Sequence, residues 1–223
     1  MRKEKNQAIV LRRQGKSYNE IAQKLSVPKS TLHYWFRDKT WSVKVKRHLT
    51  EAARQESKKR MKILGNLGKQ KRAALYLECR KRAEKEFKQF KKETLFLSGL
   101  CLYWGEGDSK LENGRIRIAN SDPLMLRLFY LFLGQYLPEL LPKAKIYLVL
   151  YKDLEENACQ KHWSVQVGVP LDKFIKSSYI IGRSPTKRLA YGIGTLLVSS
   201  RAYKEIIHTW IALFKKEVAN MRV

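Results

Sequence analysis

Residues 15–36 read GKSYNEIAQKLSVPKSTLHYWF. Ser17 followed by Glu20 is a capping box, in which each side chain answers the other's backbone N–H at the start of a helix. Ile21, Ala22 and Leu25 then line one side of that helix. Ser26, Val27 and Pro28 break it, and a second helix starts at Lys29, Ser30 and Thr31. Leu32, Trp35 and Phe36 recur at helical spacing and point inward, which leaves Lys29, Ser30, His33, Tyr34 and Arg37 facing out. Upstream, Ala8 and Leu11 mark a one-sided apolar helix that Gly15 stops. Small Ala22 permits a close helix crossing and Val27 plugs the turn, so Glu4 to Arg37 reads as three short helices with a polar row on a firm apolar underside.

This run resembles the helix-turn-helix of the resolvase and invertase type. The resemblance implies that the last helix enters the DNA major groove, with Lys29, Ser30, Thr31, His33, Tyr34 and Arg37 as the DNA-binding residues. A small helical hairpin used for protein contacts is the competing reading, since capped amphipathic helices are common. A recombinase is not expected, because the three helices lead this sequence with no room before them for a recombinase catalytic domain.

The charge balance points the same way. The 223 residues hold 46 basic and 20 acidic side chains, a formal net charge of +26, far beyond what solubility needs. A polyanionic partner follows, and nucleic acid is the natural one. An anionic membrane surface is the competing polyanion, but no apolar run reaches the length of a spanning helix and the N-terminus is no signal peptide. Cys79, Cys101 and Cys159 are odd in number and far apart, which indicates neither a disulfide framework nor a zinc site and fits a cytoplasmic setting.

Charge also divides the chain. Residues 1–42 carry +7, residues 43–93 carry +12 and residues 94–223 carry +7. The middle segment is rich in Lys, Arg, Glu, Ala and Gln and is interrupted at Gly65, Asn66, Leu67 and Gly68, so it reads as two exposed helices or a partly ordered tether. Its basic side chains suit a phosphate-tracking arm as well as a solvated linker. From Thr94 the texture turns apolar and aromatic. A helix over Leu95 to Glu106 is followed by strict alternation in Arg115–Ile118, a helix started by Ser121, Asp122 and Pro123, and alternation again in Lys145–Tyr151. A helix over Leu154 to Val167, strands near Ser178–Gly182 and Tyr191–Val198, and a closing helix from Arg201 to Glu217 complete it. The expected fold is α+β: a helix-turn-helix domain, a basic helical linker, and a four-stranded antiparallel sheet with helices on one face. Arg115, Arg117, Lys145, Tyr147, Tyr151, Lys187 and Arg188 would stud the open face of that sheet, a second surface suited to DNA.

At the head of this domain stands LSGLCLYWGEGDSK, residues 97–110. It resembles a single-motif homing endonuclease domain of the LAGLIDADG type, and the inferred order of elements over Leu95–Phe214 agrees with that family if one extra helix lies between its first two strands. The resemblance implies that the motif helix meets its twin in a homodimer, Gly99, Gly105 and Ser98 allowing close approach. It also implies that Glu106 is the catalytic acid and metal ligand, with Asp108 a second candidate, and that Mg2+ is the cofactor if the protein cuts DNA. In this sequence Leu100 and Cys101 stand where the family has its small Ala-Gly pair. The same fold also serves regulators that bind DNA without cutting it. Two readings follow for double-stranded DNA as partner: a sequence-specific regulator with no catalysis, or a magnesium-dependent endonuclease centred on Glu106. An RNA-binding factor using the basic arm is a third.

Overall fold

The Ser17 hydroxyl accepts the Glu20 backbone N–H at 3.2 Å, and the Glu20 carboxylate accepts the Ser17 backbone N–H at 2.8 Å. This reciprocal cap opens α2 (Tyr18–Leu25), which follows α1 (Lys3–Arg13) and precedes α3 (Lys29–Phe36) in a computed structural model that describes residues 3–180 and 189–221. Gly15 and Ser26 take the left-handed conformation that ends the first two helices. Ala8, Ile21, Val27, Leu32 and Phe36 are buried together, with Leu11, Ala22, Leu25 and Trp35 packed against them.

One cation completes this small core. Arg12 is buried, donating from Nε to Ser42 Oγ at 3.1 Å, from Nη1 to the Lys16 carbonyl at 2.8 Å and from Nη2 to the Ser42 carbonyl at 3.1 Å. Its guanidinium also lies 4.6 Å from the centre of the Tyr18 ring. Three hydrogen bonds thus tie the turn after α1 to the first turn of α4 (Thr40–Phe90). Trp41, from that same turn, meets Phe36 edge-on at 5.7 Å.

The chain divides into two compact units, Met1–Lys71 and Arg72–Val223, and α4 runs through the division. The expected interruption at Gly65–Gly68 is absent: α4 is one helix of 51 residues. Each glycine costs about 1 kcal/mol relative to alanine, but the flanking turns are filled with Lys, Arg, Met, Leu, Gln and Ala, and helix propagation through a weak turn is cheaper than a second nucleation.

In the second unit, α5 (Thr94–Glu106), β1 (Arg115–Asn120), α6 (Pro123–Tyr136), β2 (Lys145–Tyr151), α7 (Glu156–Val167), β3 (Ser178–Ile180), β4 (Ile193–Ser199) and α8 (Arg201–Ala219) follow in order. Asp122 caps α6 by accepting the Leu124 N–H, with Pro123 in the first turn, as its sequence predicts. The sheet order is β1-β4-β2-β3. It is mixed, which corrects the antiparallel expectation: β4 is antiparallel to both β1 and β2, whereas β3 runs parallel to β2. The reason is connectivity. A helix, α7, joins β2 to its neighbour β3, and a crossover of that kind returns the chain to the same end of the sheet. Residues 181 and 182 of the expected third strand, with Lys187 and Arg188, lie outside the described residues.

Ile116, Ile118, Ile146, Leu148, Leu150, Leu196 and Val198 face a core shared with α5, α6, α7, α8 and the last turns of α4. Trp210 Nε1 donates to the Ala83 carbonyl at 3.1 Å, joining α8 to α4. The outer edge of β1 is occupied: Gly107 bridges to Ile118, and the Asp108 N–H donates to the Arg117 carbonyl at 2.9 Å.

A Cβ added at Gly65 would meet nothing within 4 Å, so packing does not require a glycine there. Gly65→Ala is expected to stabilise α4 locally by about 1 kcal/mol. Far-UV circular dichroism of the full chain should show a gain in helicity and a later loss of helix on heating; an unchanged melt would mean that the helix is already open at Gly65 in solution.

Candidate nucleic-acid interface

Burial of Leu32 and Phe36 on the underside of α3 turns its other face outward. Lys29, Ser30, His33, Tyr34 and Arg37 are all exposed, and Thr31 is half-buried. Tyr34 is 69% exposed, an unusual setting for a ring of that size, with the Arg37 guanidinium 5.4 Å from its centre. Arg37 also pairs with Asp38 at 3.1 Å. No side chain caps the start of α3, so its positive end is open beside Lys29 and Ser30. His33 lines a groove together with Tyr18, Asn19, Lys46 and Thr50. Asn19 and Lys46 add a polar and a cationic group that the sequence did not single out, because they come from other helices.

A second candidate surface is the open face of the sheet. Burial alternates along β1 and β2, leaving Arg115 and Arg117 exposed and Lys145, Tyr147 and Tyr151 half-buried on the side away from the helices. Registration makes a row of them: Arg117 stands opposite Leu197, which stands opposite Lys145, and Tyr147 stands opposite Thr195. Two cations from separate strands thus flank one apolar side chain, a pattern that suits a phosphate row crossing the strands.

The acidic candidates fare differently from one another. Glu106 is the last residue of α5, exposed, and among the described residues its carboxylate has no partner. Gly107 follows because a Cβ there would collide with the Tyr103 carbonyl and ring. Asp108 is occupied. Its Oδ1 accepts the Lys110 N–H at 2.9 Å, its Oδ2 accepts the Asn113 amide at 2.7 Å, and Lys204 Nζ lies 3.5 Å away. Partial burial pushes this carboxyl up, but those two hydrogen bonds and the Lys204 and Arg117 charges outweigh it and hold it below its ordinary value. Among the described residues no three His, Cys, Asp or Glu side chains gather to hold a metal ion. One free carboxylate, water and substrate phosphate oxygens nevertheless make a set that magnesium accepts, so Glu106 alone fits such an ion.

Lys204 is the residue that sequence reasoning missed. Its side chain is wholly buried, and Nζ donates to the Lys110 carbonyl at 2.6 Å and to Asn113 Oδ1 at 3.0 Å. Burial lowers its pKa and the Asp108 charge offsets part of that. Nearby His208 is also pushed down, by burial first and Lys204 second, and among the described residues its buried Nε2 has no hydrogen-bond partner. A signal existed: Lys204 falls on the apolar stripe of α8, in line with Ile207 and Ile211. Gly99, expected to serve a contact between copies, instead receives the Phe132 ring of α6 within the chain, while Gly105 is exposed.

Compared with known protein families, curated proteins and solved structures, the chain matches none. Among the described residues no helix is long and apolar enough to cross a membrane.

Lys204→Met should cost about 3 kcal/mol by leaving Asp108 without its cation. The pH dependence has a definite sign. A carboxyl with a lowered folded pKa stabilises fully above its unfolded value, here 3.8, and the contribution is lost as pH falls through the folded value. Asp108→Asn should therefore flatten the fall of Tm with pH below 3.8. A mutant whose Tm falls as steeply as wild type would remove Asp108 from the acid response.

Proposed function

We propose that this protein is a sequence-specific DNA-binding protein, a transcriptional regulator that reads its site through α3. The observation that carries this reading is the exposed row of Lys29, Ser30, His33, Tyr34 and Arg37 on a helix whose opposite side is buried. A rigid underside with long polar side chains above it suits the major groove, where donors and acceptors differ for every base pair. The likeness of residues 15–36 to the resolvase type of helix-turn-helix supports the same placement, with Thr31 among the DNA-binding residues. The net charge of +26 supplies affinity that does not depend on sequence. In this reading the second unit resembles a LAGLIDADG domain, pairs two copies and offers the face of Arg115, Arg117, Lys145 and Tyr147 to DNA.

Cleavage is the second reading, favoured by one observation: Glu106 leaves a free carboxylate at the end of α5 while its neighbour Asp108 is committed to Lys204. A magnesium ion held there would stabilise charge developing at a scissile phosphate. Glu106 would hold the ion, Arg115 and Arg117 would draw in the backbone, and two copies of the chain would supply two acids.

His33→Ala and Tyr34→Ala should each relax sequence preference by about 1–3 kcal/mol of discrimination while leaving binding to unrelated DNA intact. Selection of sites from a random duplex pool measures this, and unchanged preference in both variants would sink the role of α3. Incubation of the selected duplex with magnesium separates the two readings. Cutting by wild type and not by Glu106→Gln supports the nuclease, whereas tight binding to DNA that stays intact leaves the regulator.

A further inference from the structure

Because α4 is unbroken across Gly65–Gly68, the residues on either side keep one helical register. At 3.6 residues per turn, Lys44, Arg47, Arg54, Lys58, Lys62 and Lys69 then fall within an arc of about 80°. All six are exposed and all belong to the first unit. Residues 43–71 carry ten basic side chains, so six of the ten occupy less than a quarter of the helix circumference. Lys46, Arg60 and Lys71 lie on the opposite side, which they share with Ile63 and Leu67, both at least 48% exposed. A merely solvated arm has no reason to sort its cations this way. One acid, Glu51, interrupts the stripe, and Gly65 leaves a gap in it that is open to solvent.

We infer that this stripe is a linear docking surface for the phosphate backbone of duplex DNA. It spans about 38 Å at 1.5 Å per residue, the length of roughly 11 base pairs at 3.4 Å each. The inference rests on the DNA-binding reading above and deepens it by assigning the contact to one side of one helix. Each phosphate neutralised releases counterions, so each stripe residue contributes about 0.9 to the slope of log affinity against log salt. The gap at Gly65 makes the idea testable by gain as well as by loss. A lysine there would add a further contact without meeting any neighbour.

The experiment measures binding of the full chain to a duplex of unrelated sequence over a salt series. Lys58→Gln with Lys62→Gln should reduce the slope by about 1.8, and Gly65→Lys should raise it by about 0.9 relative to Gly65→Ala. Arg60→Gln with Lys71→Gln removes the same charge from the other side and should leave the slope near that of wild type. Equal slopes for the two double variants would overturn the stripe while leaving the reading of α3, which is scored by sequence preference, untouched. Absence of any duplex binding by wild type would overturn both. Binding to vesicles of anionic lipid that depends on Ile63 and Leu67, with no change of DNA slope in the stripe variants, would assign the helix to a membrane surface instead.

Discussion

The ammonium group of Lys204 holds one end of the second unit in place. It reaches from α8 into the turn between α5 and β1, where it grips the Lys110 carbonyl, Asn113 and Asp108. That turn connects Glu106, at the end of one element, to Arg115 and Arg117, at the start of the next. Burying a cation is expensive unless every proton finds an acceptor, and here three acceptors converge. Arg12 does the same for the first unit, joining the turn after α1 to the start of α4 through three hydrogen bonds. Both units therefore use a buried cation as an internal tie.

This division of labour explains what could be read in the sequence and what could not. Period-two alternation over Arg115–Ile118 and Lys145–Tyr151 reported which side chains face the core, because one face of a half-buried strand is apolar whatever its partners are. The Ser17 and Asp122 caps were equally legible, since their hydrogen bonds close within a few residues. Strand direction was not, although the helix between β2 and β3 held the clue to a parallel pair. Composition around Gly65–Gly68 suggested a break, yet the helix is continuous because residues on both sides of the weak turn favour it.

The acids show the limit most clearly. Glu106 and Asp108 are two positions apart and look equivalent in the sequence. In the structure the Asp108 carboxylate lies beside a lysine from the far end of the chain, whereas among the described residues that of Glu106 has no partner. The bonds of Asp108 to the Lys110 N–H and the Asn113 amide are local, but the lysine that singles it out comes from α8. Arg12 and Lys204 each sit in register with the apolar side of their own helix, the one local sign that a cation is buried.

The closed outer edge of β1 has a consequence for how copies of this chain behave when crowded. In free solution mutual repulsion between strongly positive molecules opposes indiscriminate close approach. On a polyanion that repulsion is cancelled, and exposed strand edges become the hazard, because unpaired N–H and C=O groups template further pairing. Here Gly107 and Asp108 already cover the outer side of β1 at Arg117 and Ile118, so a neighbour finds no free ladder along that stretch. In the DNA-bound arrangement proposed above, molecules lying side by side are thereby hindered from pairing strands along Arg117 and Ile118 of β1, which leaves contacts at that margin to side chains.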